Sequence, residues 1–375
     1  SFEVSLLTCQ PSQRIYGLYG HTALLLHDLR TGSDWSFNYG VFNFEKPFFV
    51  LRFLFGLTDY ELGAVPMDIF REEYVRQGCQ VTEQVINLTD AEKRRLLNAL
   101  EENYRPENRT YRYNYFYDNC TTRARDMVEK CISGRIAYPG ERHPEADGAS
   151  YRQMIHEHTA DHPWAAVGND LCLGVKADQH TSWRQRQFLP EDLMHDFDKA
   201  LITTPDGQQR PLVNRKHILI EGRQQVVVQE FPLTPLSCSL ILIGITIAVS
   251  LIEIKHHKSL VVYDLLLMTA QGSAGVIVTA MLFSEHPTTS TNLQALVLNP
   301  LPLAFIYQVA RHRSTRYWAI AASLTLLCLA GGLTQDYAEG FTIVALCLLI
   351  RQGMHLYVYP KLGLLPRQQK KNLCK

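Results

Sequence analysis

The chain of 375 residues has no CxxC pair and no Cys/His cluster at zinc-ligand spacing, and its first 235 residues have no basic run. The first absence argues against a structural metal, and no cofactor is expected. The second combines with a divided charge. The formal net charge of 0 resolves into +6 over residues 236–375, which hold 11 Lys/Arg and five acids, and therefore −6 over residues 1–235. A mildly acidic domain without a basic patch is a poor nucleic-acid binder, so that class of partner is excluded. Internal repeats and low-complexity segments are missing as well. The N-terminus lacks a basic n-region and an apolar h-region and enters directly into FEVSLLTC, a strand-like run. The topology argued next puts this part outside the cytoplasm, so removal of a signal peptide is expected.

Long apolar runs are present, and all follow Pro235. Five of them, at about 236–254, 260–283, 293–310, 317–334 and 341–359, approach membrane-spanning length. The loop after the first carries Lys255 and Lys258, and the loop after the third carries Arg311, Arg313 and Arg316. The tail carries Lys361, Arg367, Lys370, Lys371 and Lys375. The intervening loops, SEHPTTSTN and TQDYAEG, have acids and no Lys or Arg. The positive-inside rule then places the odd loops and the C-terminus in the cytoplasm and residues 1–235 outside. The third run contains Asn299, Pro300 and Pro302; a buried or re-entrant segment is its alternative reading, which the charges of its flanking loops oppose. The expected division is an extracytoplasmic domain at 1–232, an all-α five-span domain at 233–360 and a basic cytoplasmic tail at 361–375.

Ionisable groups inside spans are candidate functional residues. Arg351, near mid-bilayer, has three readings: contact with a lipid phosphate, pairing with Asp264, or snorkelling to the cytoplasmic side. Asp264 and Glu253 read as structural. His286 and Asn292, in the short outer loop, are candidates for a lipid-entry site.

The extracytoplasmic part reads as α+β. Residues 2–9, 21–28 and 34–42 have strand character, the last two as a hairpin turning at RTGSD. LTDAEKRRLLNAL opens with a capping box, Thr89 and Glu92, and is helical to about Tyr104. Residues 111–117 are an aromatic β-prone run, and a helix opens at Cys120. Residues 190–203 read as a helix, and HILIEGRQQVVVQE reads as a hairpin turning at Glu221–Arg223.

Nine cysteines are present, five of them in this domain: Cys9, Cys79, Cys120, Cys131 and Cys172. An odd number leaves at least one thiol free or paired between molecules. Cys120 follows Asp118-Asn119 and starts a helix, where unpaired N–H groups and the helix dipole favour a thiolate and can form an oxyanion hole. His21, opening a strand after Gly20, is the first-choice base. His27 shares its strand face at the far end. Asn38, on the next strand, is the candidate that orients the imidazole, and Arg123 could hold a phosphate or carboxylate. Tyr39 and Asn119, flanking these groups, complete the candidate substrate contacts. Asn119-Cys-Thr also fits a glycosylation sequon, read as coincidence. A structural cysteine and histidine remain the alternative that spacing alone leaves open.

The strings LLTCQPSQRIYGLYGHTALLLHD, DWSFNYGVFNFEKPFF, LTDAEKRRLLNAL and RPENRTYRYNYFYDNCTTRARD resemble the periplasmic domain of the Lnb-type lipoprotein N-acyltransferases. DLCLGVKADQ and FLPEDL are similar to that family too, and FSEHPTTSTNLQALVLNPLPL with its neighbouring spans resembles the family's membrane domain. The resemblance covers nearly the whole chain. It implies a permuted papain-like domain with His before Cys, an order shared with the lecithin–retinol acyltransferase group and its Asn-Cys motif, here Asn119-Cys120. It implies Cys120 as nucleophile and His21 as base, a phospholipid acyl donor, and a diacylated lipoprotein acceptor. Its location would be the bacterial inner membrane, multi-pass, with the N-terminal domain in the periplasm. Two other classes stay open: a membrane-tethered papain-like hydrolase (peptidase, amidase or lipase) using the same pair, and a non-enzymatic envelope adaptor.

Overall fold

The strand-like runs FEVSLLTC and HTALLLHD form β1 (Phe2–Cys9) and β2 (His21–Asp28), paired antiparallel from Phe2↔Asp28 to Cys9↔His21. They belong to a computed structural model that describes residues 2–14, 17–42, 57, 59–142, 148–225, 231–284, 286–311 and 316–364. The expected hairpin follows, with β3 (Ser33–Val41) beside β2. Next come β4 (Asp59–Pro66), β5 (Val81–Ile86), β6 (Thr110–Arg112), β7 (Arg135–Ala137), β8 (Leu201–Thr203), β9 (Gln209–Pro211) and β10 (Val213–Ile220). Among the described residues, seven strands form one antiparallel sheet in the order β10-β5-β1-β2-β3-β4-β6, and β7-β8-β9 form a small second one.

Alternation along the strands gives the main sheet two apolar faces. Val4, Leu6, Leu24 and Phe37 pack on one side with Leu96 and Leu100 of α2 (Asp90–Tyr104) and Ala124 and Val128 of α3 (Cys120–Cys131). Leu7, Cys9, Ala23 and Leu25 pack on the other with Met67 and Phe70 of α1 (Met67–Gln77). The Thr89–Glu92 capping box forms as expected. This α+β unit comprises Ser1–Tyr151 and His180–Val228.

Four local expectations change. The helix from Pro190 ends at Lys199, because the β-branched Ile202 and Thr203 join β8, with Ile202 fully buried in the core. The aromatic run at 111–117 is a strand only as far as Arg112. Asn114 Oδ1 then accepts the Phe116 and Tyr117 amides and turns the chain. β10 pairs with β5 instead of an adjacent arm: residues 221–225 are irregular, and the expected second arm falls mostly outside the described residues. The fourth apolar run is a helix of only 16 residues, Arg316–Gly331, followed by Gly332 and a turn in which the Gln335 amide donates to Gly331 O.

The second unit, Arg152–Gln179 with Gln229–Lys375, is helical. Pro235–His256, Val261–Leu282, Leu293–Ala310 and Phe341–Leu362 are long and apolar enough to cross a membrane. The third is broken: a 3-10 turn at Leu293–Leu296 precedes a helix at Leu301–Ala310, with Asn299 bonding Leu296 O and the Leu301 amide. Residues 152–179 belong to this unit through amide side chains. Gln294 Nε2 donates to Asp170 O at 2.7 Å, Asn292 Nδ2 to Leu171 O at 2.8 Å and Gln335 Nε2 to Leu173 O at 3.1 Å. Glu285, Arg313 and the tail residues Arg367, Lys370, Lys371 and Lys375, part of the charge pattern read from sequence, lie outside the described residues.

Arg351 settles on the pairing alternative. Its guanidinium donates to Glu253 at 2.6 Å, Asp264 at 2.7 and 3.0 Å, Ser250 Oγ at 3.1 Å and Tyr359 Oη at 2.8 Å, and all three charged side chains are buried. His355 adds a 2.8 Å contact to Asp264. Removing one partner of such a cluster leaves buried charge uncompensated. Arg351→Ala is expected to destabilise the helical unit by about 3–5 kcal/mol, read as a lowered thermal midpoint in detergent; an unchanged midpoint would contradict the assignment.

Candidate active site

Asp118-Asn119-Cys120 carries the turn into α3, and Asn119 is its N-cap. Asn119 Oδ1 accepts the Thr121 and Thr122 amides, both at 2.9 Å, and the Asn119 amide in turn donates to the Thr122 hydroxyl. Asn119 Nδ2 donates to Tyr115 O at 3.0 Å and Phe188 O at 2.9 Å. The side chain is buried and fully committed, so its place is structural; substrate contact and the sequon are both sterically closed to it. Cys120 becomes the first residue of the helix, half-buried. Thr121 ties this turn to the sheet through a 3.0 Å bond to the Thr22 hydroxyl.

His21 is the first residue of β2, opposite Cys9. Gly20 before it has φ +77°, and a Cβ there would stand 2.5 Å from Cys9 O, so only glycine permits this entry into the strand. Asn38 projects from β3 on the same sheet face, because it pairs with Ala23, two residues along from His21. Its Nδ2 donates to Ser36 O at 3.2 Å and Ser36 Oγ at 3.1 Å, which fixes the amide so that Oδ1 faces the imidazole at 3.1 Å. His21 Nε2–H therefore donates to Asn38, and Nδ1 is the nitrogen left for the thiol.

The sulfur and the imidazole perturb one another. Burial pushes the Cys120 thiol up, but the His21 charge, a bond to its ring, the Thr22 amide and the Thr121 hydroxyl outweigh it. The net result is a lowering to about 7. Burial likewise opposes charge on His21, yet the neighbouring thiolate and the bonds to Cys120 and Asn38 leave it raised. Both shifts favour a thiolate–imidazolium pair. The other cysteines before Pro235 behave oppositely: burial raises Cys9, Cys79 and Cys131, and pushes Cys172, in the helical unit, up to about 11. All five are free thiols.

The remaining sequence candidates are placed as follows. Arg123 is forked onto Asp118 at 2.6 and 2.7 Å and lies 3.6 Å over the Tyr111 ring. Tyr39 is buried, donating to Asn103 Oδ1 at 2.7 Å. His27 bonds Asp34 away from the cysteine. His286, Asn292 and Arg351 lie in the helical unit, the last two with their polar atoms bonded to protein. Sequence reasoning missed Thr22, Thr121, Ser36 and Asp118. Thr121 and Asp118 lie within two residues of Cys120 in sequence, whereas Thr22 and Ser36 are found only through strand pairing. Among the described residues no group of three or more His, Cys, Asp or Glu is placed to hold a metal ion.

Residues 1–154 match the family model described as the Lnb N-terminal periplasmic domain, and residues 227–362 match the one described as the Lnb transmembrane domain. No curated protein and no solved structure matches the chain.

The thiol shift has a direct readout. Because the thiolate is the reactive form, iodoacetamide labelling of Cys120 should rise with pH and level off just above about 7, well before an ordinary cysteine at 9.0. His21→Ala removes the two largest lowering causes and leaves burial opposed only by the Thr22 amide and the Thr121 hydroxyl, so its labelling midpoint should move to clearly higher pH than in the wild type. Identical profiles for the two chains would contradict the pairing.

Proposed function

Because the chain belongs to the Lnb family, as a membrane protein with an N-terminal periplasmic domain, we propose that it is a lipoprotein N-acyltransferase with Cys120 as nucleophile, His21 as general base and Asn38 as orienter. The observation that carries this reading is the Cys120–His21–Asn38 line, with the thiol lowered to about 7 and the imidazole tautomer fixed by Asn38.

The reaction has two halves. His21 Nδ1 takes the Cys120 proton, and the thiolate attacks the ester carbonyl of a phospholipid. The tetrahedral species collapses to a thioester on Cys120 while the departing lysophospholipid oxygen takes the proton from the imidazolium. The N-terminal amine of a diacylglyceryl-cysteine lipoprotein then attacks the thioester. Its proton passes to His21 and on to Cys120, the C–S bond breaks, and an amide remains. An α-amine has a pKa near 7.7–8.0, so an appreciable fraction is already neutral and nucleophilic at pH 7. Dividing one transfer into two steps through a good leaving thiolate is the advantage of covalent catalysis. The domain that performs it is read as permuted papain-like, with His21 preceding Cys120.

The apolar helical stretches, including the short Arg316–Gly331, are read as five passes of the bacterial inner membrane with a cytoplasmic C-terminus. Anchoring confines the enzyme to the bilayer that holds both lipid substrates, which raises their effective concentration. The same Cys/His pair would also serve a hydrolase, so the acceptor decides between the two. Mass spectrometry of a lipoprotein N-terminus from cells with and without the protein should show the third acyl chain, in amide linkage, only when it is present. Cys120→Ala should abolish that chain while leaving the protein folded and inserted. Release of free fatty acid with no N-acylated lipoprotein would overturn the transferase reading in favour of hydrolysis.

A further inference from the structure

Beside the nucleophile, Tyr111 in β6 carries a polar group with no partner. The residue is 7% exposed, and its hydroxyl is buried without a hydrogen bond among the described residues. Such a group is normally satisfied, because leaving it orphaned costs stability. The ring is not loosely placed. It lies under the Arg123 guanidinium at 3.6 Å, which Asp118 forks, and it meets Tyr39 edge-on at 6.1 Å.

Gly40 shows where the hydroxyl points. A Cβ built there would stand 3.9 Å from Cys120 Cβ, 4.0 Å from the Tyr111 hydroxyl oxygen and 3.7 Å from the Tyr113 ring. With φ +90° and no side chain, Gly40 leaves that position unfilled, a methyl-sized space bordered by both the cysteine and the orphan hydroxyl. The helix start offers few other donors. Asn119 already occupies the Thr121 and Thr122 amides, leaving the Cys120 amide without a partner among the described residues.

We propose that the Tyr111 hydroxyl is a catalytic oxyanion donor, completing with the Cys120 amide the pocket that receives the acyl oxygen. This rests on the acyl-transfer reading above. When the thiolate forms the C–S bond, the carbonyl π pair moves to oxygen, and the two donors hydrogen-bond that charge without transferring a proton. Collapse restores the C=O bond and expels the alkoxide, which is protonated from His21. Burial pushes the phenol well above its ordinary value, against the smaller opposing pull of Arg123, so it remains a neutral donor at working pH. The orphan cost is then a pre-organised site.

The test compares two reactions of one sulfur in the full-length chain in detergent. Acylation by p-nitrophenyl octanoate passes through an oxyanion, whereas alkylation by iodoacetamide is a displacement that forms none. Tyr111→Phe keeps the ring and its Arg123 contact and deletes only the unpartnered oxygen. It is expected to slow single-turnover acylation of Cys120 by about 100-fold or more, while leaving the alkylation rate and its pH profile unchanged. Acylation at the wild-type rate would overturn the assignment, and so would an equal loss in both reactions, which marks a structural role. A wild-type chain whose Cys120 acylates Tyr111-dependently but yields no N-acylated lipoprotein would overturn the transferase reading and leave this assignment standing.

Discussion

The cap that Asn119 places on α3 is the contact on which the site depends. Its oxygen holds two amides of the first turn and its nitrogen holds two carbonyls from elsewhere in the fold, at Tyr115 and Phe188. That arrangement fixes the helix start in three dimensions, and Cys120, one residue on, has little freedom left. The Thr121–Thr22 bond then sets the distance between this turn and β2, the strand that His21 opens. One residue thus connects a local sequence feature to the geometry of a pair 99 positions apart in sequence.

Electrostatics at the pair is a contest between two effects of similar kind. Burial disfavours both charged forms, and in isolation it would leave a neutral thiol beside a neutral imidazole. Mutual attraction wins because each group becomes charged only as the other does, and because Asn38 and the Thr22 amide add bonds to the charged forms. At the buried Cys9 burial is the largest influence and outweighs the lowering bond from Tyr74, so that thiol is raised. In the helical unit the same principle serves structure: Arg351 is surrounded by carboxylates and hydroxyls that compensate its burial.

Local features were the ones readable from sequence. The β2–β3 hairpin, the Thr89–Glu92 capping box and the helix start at Cys120 all follow from residues a few positions apart. The sequence also supplied His21, Asn38 and Cys120 as candidates, and strand register brings the first two within hydrogen-bond reach. Non-local pairing was not readable. The edge of the main sheet is closed by β10, more than 120 residues after its partner β5, with no sequence signal for the match. The assignment of residues 152–179 to the helical unit depends on amide side chains of Asn292, Gln294 and Gln335, which in sequence look like ordinary loop polarity. Tyr111 sits in an aromatic run in which the hydroxyls of both Tyr111 and Tyr115 are buried without a partner among the described residues, and only the fold brings that of Tyr111 to the space at Gly40 that Cys120 also borders.

Covalent catalysis at Cys120 is tested most directly by intact-mass analysis of the full chain incubated with phospholipid and no lipoprotein. The predicted result is one added acyl mass on the Cys120 peptide, removed by neutral hydroxylamine and absent from Cys120→Ala. An acyl adduct on another residue, or N-acylation of lipoproteins by Cys120→Ala at the wild-type rate, would contradict it.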